Sequence, residues 1–258
     1  MLPCGGLENK IAMKTMKTIG LALVGLLFLG QAAAASPTWS AIGFTTTPEN
    51  APKVIKATDK LMDSEIMKEF PGLLLLQVHV ADGDNPATHS FVPLYKSAAD
   101  REALAQKLMG DDAWKDFQER MTELTEPVSN VMYVTLKSWG EIVDTDHVWM
   151  VYPFAVSDPP ALLAALEKFM ASKTGKKFPG QVHLEGIIAG GMSPVTHSIG
   201  VGYASEAEME TWRDSLAGNA DWAAYLKASR ASAQLLGASM IRDIKSWGSL
   251  SLKDVSVP

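Results

Sequence analysis

The chain has 258 residues, of which 47% are hydrophobic, and its 23 lysines and arginines against 29 aspartates and glutamates give a formal net charge of −6. An acidic balance without basic runs excludes a nucleic-acid or anionic-membrane surface as the main partner. The one cysteine, Cys4, lies in the leading segment, so the rest of the chain has no disulfide, thiol nucleophile or thiolate metal site.

Residues 13–35 read MKTMKTIGLALVGLLFLGQAAAA. Lys14 and Lys17 make a positive start, the run from Ile19 to Leu29 is apolar but short, and Ala33-x-Ala35 is a small-residue cleavage site, so a secretory signal peptide is expected over residues 1–35. Met13 or Met16 is the better initiator. The mature chain then starts near Ser36, carries 20 basic against 28 acidic residues and is expected in the periplasm. No later stretch approaches the roughly 20 apolar residues of a membrane span.

A first strand is expected around Trp39 to Phe44, followed by a helix and by Phe70-Pro71-Gly72. Asp82-Gly83 marks a hairpin, with Asp82, Asp84 and Asn85 making a turn in preference to a calcium loop, because no downstream acidic ligand follows. Ser97 with Asp100 reads as a capping box, Gly110 breaks the helix, and Trp114, Phe117, Met121 and Leu124 form one stripe before a strand over 130–139. His147, with Asp144 and Asp146, falls in a linker, where a fortuitous polar cluster is the plainer reading than a metal site.

The pattern then recurs. An aromatic-rich strand over 148–156 precedes Asp158 as N-cap and Pro159 at the first helical position, and Leu162, Leu166, Phe169 and Met170 follow at helical spacing up to Gly175. Strands over 181–189 and 196–204 meet at a Gly-Gly turn, Ser205 with Glu208 caps the next helix, Gly218 breaks it, and 238–247 closes the unit. Laid over each other at a fixed offset of 108, residues 70–140 and 178–248 share 22 of 71 positions, among them Thr88-His89-Ser90 with Thr196-His197-Ser198 and Lys137-Ser138-Trp139-Gly140 with Lys245-Ser246-Trp247-Gly248. Upstream the offset becomes 110, which predicts a first helix about two residues shorter in the second copy. Two repeats, 36–143 and 144–258, are therefore expected as a tandem duplication.

Each repeat reads βαββαβ, the ferredoxin-like order, whose antiparallel sheet has helices on one face only. Two such units cover each other by packing sheet against sheet. The expected fold is α+β: two fused ferredoxin-like repeats forming an intrachain dimeric α+β-barrel, monomeric because one polypeptide supplies both partners.

Tyr95-x-Ser97-x-Ala99-x-Arg101, then Leu104, Leu108 and Asp111/Asp112-x-Trp114-x-x-Phe117, resembles the second-helix pattern of NIPSNAP and antibiotic-biosynthesis-monooxygenase-like proteins of the dimeric α+β-barrel superfamily. The second copy keeps Tyr203, Ser205, Ala207, Trp222 and Tyr225 but has Met209 in place of Arg101. The resemblance covers nearly all of the mature chain and implies a fold and a cavity. That superfamily spans cofactor-independent oxygenases, haem-degrading enzymes, lactone isomerases, polyketide cyclases and proteins without a known reaction, so it implies no single substrate.

Several residues could carry chemistry. His89 and His197 are either a pair of general acid/base groups, one per repeat, or hairpin ties whose neighbouring hydroxyls hold backbone groups. Strict alternation puts Lys137 and Trp139 on one face with Tyr133 and Thr135, and Lys245 and Trp247 with Ile241 and Asp243; such a polar, aromatic face is expected to line the lumen and shape a ligand pocket. Sealing of the barrel rim is the other role open to these tryptophans. The second repeat is the more polar, with His183 and Glu185 against Leu75 and Gln77, and Arg242 and Asp243 against Val134 and Thr135. These four are further ligand-binding candidates, or else a buried charge network. No metal motif, nucleophile elbow or phosphate loop is present. The expected function is binding of a small aromatic or hydrophobic molecule without a cofactor, as an oxygenase or isomerase. The alternatives are a non-catalytic module with a side-chain-filled barrel, which apolar Val151, Tyr152 and Phe154 on both strand faces favour, and haem binding through His89 or His197.

Overall fold

A computed structural model describes residues 36–191 and 194–257; the expected signal peptide and Cys4 lie outside them. The first half runs β1 (Thr38–Thr45), α1 (Ala51–Met62), β2 (Gly72–Ala81), β3 (His89–Tyr95), α2 (Ala98–Leu108), α3 (Asp112–Leu124) and β4 (Glu126–Gly140). The second runs β5 (Val148–Val156), α4 (Pro159–Ala171), β6 (Gln181–Ala189), β7 (His197–Tyr203), α5 (Glu206–Ser215), α6 (Ala220–Ser232), β8 (Ala233–Leu235) and β9 (Ser239–Gly248).

The strands hydrogen-bond in the order β7-β6-β4-β1-β3-β2-β9-β5, and β5 pairs with β7 to close an eight-stranded antiparallel barrel. Within it, β4-β1-β3-β2 and β9-β5-β7-β6 each have the ferredoxin-like order, and the seams are β4 on β6 and β9 on β2. Register matches between the halves: Thr38 faces Tyr95 and Phe44 faces His89, as Val148 faces Tyr203 and Phe154 faces His197. The short β8 pairs with the end of β5 above β9, where the first half has one unbroken β4. No helix among the described residues is long and apolar enough to cross a membrane.

The helices start where their caps dictate. Ser97, Asp111, Asp158, Ser205 and Asn219 each accept a backbone N–H of the first turn, a contribution of about 1 kcal/mol apiece. Helix α4 buries Leu162, Ala165, Leu166 and Phe169, a one-face spacing, against Val182, Leu184 and Ile199 of the second half's sheet. In the first half α1 and α3 bring Val54 and Leu124 onto Phe44, Leu76 and Phe91. The expected shortening of the first helix does not occur: α4 has 13 residues against 12 in α1. The two missing residues leave the stretch after a short 3-10 turn, where Lys68 and Glu69 separate Met67 from Phe70 while Lys177 adjoins Phe178.

Inside the barrel Leu73, Leu75, Val92 and Trp149 pack together with Leu252, which comes from the C-terminal segment. That segment closes the barrel end where β4 and β9 finish. A 3-10 turn over Leu252–Val255 buries both its end residues, Leu252 N–H donates to Asp144, and Ser138 exchanges two hydrogen bonds with Val257. Gly140 and Gly248 end the two long strands with φ of 88° and 110°, and a Cβ at either would collide with the carbonyl oxygen of Gly180 or Gly72.

Toward its end, the last strand of each half breaks the expected alternation at one inserted residue. On the β4–β6 seam Thr135 faces Glu185 and Lys137 faces Leu184, so Leu136 is an inserted residue; on the β9–β2 seam Asp243 faces Gln77 and Lys245 faces Leu76, so Ile244 is. These β-bulges invert the side chains that follow. Thr135 and Asp243 turn into the barrel, whereas Trp139 and Trp247 turn out toward the helices, contrary to the expectation that they share the lumen face.

Candidate functional site in the barrel lumen

With the bulges in place, the middle of the barrel lumen receives two carboxyl groups. Glu185 on β6 is buried, accepting a hydrogen bond from Trp39 Nε1 at 3.0 Å and from Thr135 Oγ1 at 3.4 Å. The Trp39 indole lies flat on Tyr133, ring centres 4.1 Å apart. Burial pushes the Glu185 carboxyl up to about 7, the two donors opposing it. Asp243 on β9 accepts from Gln77 Nε2 at 2.8 Å and Trp149 Nε1 at 3.0 Å, and burial pushes it up to about 6 against those donors. The two seats match: Trp39 corresponds to Trp149, Glu185 to Gln77 and Thr135 to Asp243, so each has one indole, one carboxyl and one neutral donor.

Below them runs a polar chain. Gln181 Nε2 donates to Val143 O at 2.8 Å and to Asp146 Oδ2 at 2.9 Å, leaving Gln181 Oε1 to accept from His183 Nε2 at 3.1 Å. Burial pushes His183 down to about 4, so the ring is neutral near pH 7 and its Nδ1 accepts from the Ser138 hydroxyl at 2.9 Å. Val257 N–H donates to that hydroxyl at 3.1 Å, which ties the chain to the C-terminal closure.

At the other end of the lumen, His79 Nδ1 lies 2.7 Å from Asp82 Oδ2 and His79 Nε2 lies 2.6 Å from Ser90 Oγ. Asp82 also accepts from Asn85 Nδ2 and from the Ser239 hydroxyl. Burial alone would raise its carboxyl, but hydrogen bonds from His79, Ser239 and Asn85 and the His79 charge outweigh burial and hold it below the ordinary range. Sequence reasoning missed His79. A signal existed: His79 shares the face of Gln77, Asp82 follows three positions later, and Ser90 stands on the hairpin partner strand.

The candidate residues thus divide. His183, Glu185 and Asp243 come together in the lumen. His89 and His197 face the helix side, where His89 stacks on Phe44 at 5.8 Å. Their Nδ1 atoms lie 2.9 Å from the hydroxyls of Thr88 and Thr196, which themselves accept from the backbone of Thr46 and Val156. Burial lowers both imidazoles from the ordinary value, with the His79 charge adding to the effect at His89. Lys245 Nζ and Trp247 Nε1 both donate to Asp59 of α1, at 2.6 and 2.7 Å, and Trp139 packs on the α4 core. Lys137 is half-buried beside it, and Arg242 pairs with Glu206 on the exterior. Two hollows, of about 350 and 400 Å³, lie on the outer surface around Val156 and Arg230 and around Glu65 and Lys107.

No family model and no curated sequence matches this chain. Among solved structures it is similar to a monooxygenase-like protein from Lactobacillus acidophilus, with a TM-score of 0.57 at 14% identity over 82% of this chain and 95% of that one. It is likewise similar to an anthrone oxidase-like protein, with a TM-score of 0.54 at 14% identity over 86% of this chain and 95% of the other. A haem-binding protein from Thermus thermophilus gives 0.51 at 9% identity, over 81% of this chain and 92% of that one. These likenesses bear on fold alone, and with the closed strand order they make this chain a dimeric α+β-barrel.

Proposed function

We propose that the chain is an exported small-molecule-binding protein that uses the barrel lumen as its chamber and works, as an oxygenase or isomerase without a cofactor, through Glu185 as proton acceptor. The carrying observation is a buried carboxyl lifted to about 7 beside the flat Trp39–Tyr133 wall. Chemistry of this kind asks the protein chiefly for a base that takes a proton from the substrate, and a base titrating near neutrality is best matched to that task. An aromatic wall with one convergent acceptor suits a small, flat, hydrophobic molecule with an acidic O–H or C–H. The name of the anthrone oxidase-like relative fits that substrate class. The two-repeat division at 36–143 and 144–258, its origin by duplication, the nearer kinship to NIPSNAP proteins and periplasmic export belong to the same proposal. Matching strand registers support the first two, and residues 13–35 the last.

The test is native mass spectrometry and thermal shift of residues 36–258 with a panel of hydroxylated polycyclic aromatics, anthrone included, followed by oxygen-uptake assays of wild type and Glu185→Gln. Binding in both with turnover only in the wild type supports the proposal. Equal turnover in a folded Glu185→Gln protein sinks it. A side-chain-filled, non-catalytic barrel is the alternative favoured by one observation, the packing of Leu73, Leu75, Val92, Trp149 and Leu252 across the lumen. It predicts no retained compound and no thermal shift with any member of the panel. For haem the residues fit less well, because neither surface hollow is lined by His89 or His197. A haem titration that develops a Soret band in wild type and loses it in both His→Ala variants would restore that alternative.

A further inference from the structure

The cluster at the far end of the lumen has the polarity of a serine nucleophile relay. Gly83, at φ 56°, turns the chain after Asp82, and Asn85 comes back to donate to the Asp82 carboxylate that His79 meets from β2. An ionised carboxylate can only accept, so His79 Nδ1 must donate to Asp82. Whenever the ring is neutral, Nε2 is then an acceptor, and the Ser90 hydroxyl 2.6 Å away donates to it. Three donors from three segments, His79 on β2, Asn85 in the hairpin and Ser239 on β9, fix the Asp82 carboxylate and with it the tautomer and tilt of the imidazole. The second half keeps the serine as Ser198 but has Ile187 and Gly190 where the first has His79 and Asp82.

We propose that Ser90, His79 and Asp82 form an acyl-transfer site that hydrolyses small esters, separate from the chemistry assigned to Glu185. Ser90 Oγ forms a bond to the ester carbonyl carbon as its proton passes to His79 Nε2. The tetrahedral adduct expels the alcohol, which takes that proton from His79, and leaves an acyl-Ser90. Water, deprotonated by His79, attacks the acyl carbon, releases the carboxylic acid and restores the Ser90 hydroxyl. No oxidant or reductant is involved. Asp82 keeps its charge throughout and balances the imidazolium that forms. Ser90 is only 4% exposed and neither surface hollow reaches it, so the substrates proposed are small esters alone.

The experiment is labelling of the intact mature protein with diisopropyl fluorophosphate, followed by peptide mass spectrometry, with release of p-nitrophenol from p-nitrophenyl acetate as the second readout. The expected result is one phosphoryl adduct, on the Ser90 peptide and absent from Ser198, lost in Ser90→Ala and slowed by about 100-fold or more in His79→Asn. Glu185→Gln should label like wild type, which separates this site from the lumen base. Circular dichroism melts identify any variant that fails to fold, and Asp82→Asn then serves as the second relay variant. No adduct at Ser90 in folded wild-type protein, or an adduct formed equally fast in folded His79→Asn, overturns the proposal.

Discussion

Replacing Glu185 by Gln isolates the consequence of placing an acid in this lumen. A carboxyl titrating near 4.5 in the unfolded chain and near 7 in the fold binds more protons when folded anywhere between those values. Its contribution to stability is therefore fully present below about pH 4.5 and is lost as pH rises through 7. A shift of about 2.5 units corresponds to about 3 kcal/mol, and Glu185, only 4% exposed, has little solvent to screen it. His183 acts in the opposite sense: its folded value near 4 lies below the ordinary 6.5, so its contribution is lost as pH falls from 6.5 to 4. The wild-type profile is consequently flattened, and only the difference between variants reveals the acid. Glu185→Gln keeps the shape and an oxygen for the Trp39 N–H but cannot ionise. Relative to wild type it should gain about 3 kcal/mol between pH 4.5 and 7.5, roughly 6–12 °C in melting temperature for a chain of this size. Urea melts at half-unit pH intervals measure it. A wild-type-minus-variant difference that stays constant across that range refutes the assignment of a raised carboxyl to Glu185.

Four other substitutions probe the fold around the site. Leu252→Ala removes the side chain that the C-terminal segment plugs into the lumen and should cost about 2–5 kcal/mol by denaturant melts. Alanine at His89 and His197 should cost about 1 kcal/mol each while leaving panel binding by native mass spectrometry unchanged, since both rings stand outside the lumen. Gly140→Ala, at φ 88° and against the Gly180 carbonyl, should lower stability by roughly 1–3 kcal/mol in thermal melts.

Most of the architecture was legible because it rests on local rules repeated twice. Helix caps at Ser97, Asp158 and Ser205, breaks at Gly110 and Gly218, and aromatic strands over 148–156 appear where patterning and capping require them. The bulges were not legible. Leu136 in YVTLKSW and Ile244 in IRDIKSW are ordinary strand residues, and only pairing with another strand reveals that each has no partner. One undetected insertion sufficed to put Lys137, Trp139, Lys245 and Trp247 on the wrong side. His79 escaped for a different reason: attention to residues shared by the two halves favours Thr-His-Ser and Lys-Ser-Trp-Gly, and the second half has Ile187 where His79 would be. The more informative positions are those where the halves differ.

The two carboxyl seats turn that point into physical chemistry. Glu185 sits on β6 where the other half has Gln77 on β2, and Asp243 sits on β9 where the other half has Thr135 on β4. The acid stands on a different strand in each seat, yet each seat holds one carboxyl and one indole donor. Two acids in one seat would face each other within hydrogen-bonding reach and would have to share a proton; none would leave a buried indole N–H without its acceptor. Thr135→Asp in the wild-type background should therefore destabilise the protein by about 1–3 kcal/mol at pH 7 and much less at pH 4, where both acids are protonated. Adding Glu185→Gln recreates around Trp39 the arrangement that Gln77 and Asp243 make around Trp149, and should recover most of the loss at pH 7. A double-mutant cycle in urea at the two pH values measures the coupling. If the two substitutions prove additive at pH 7, the one-carboxyl rule is wrong and the strand exchange of the acids is without energetic meaning.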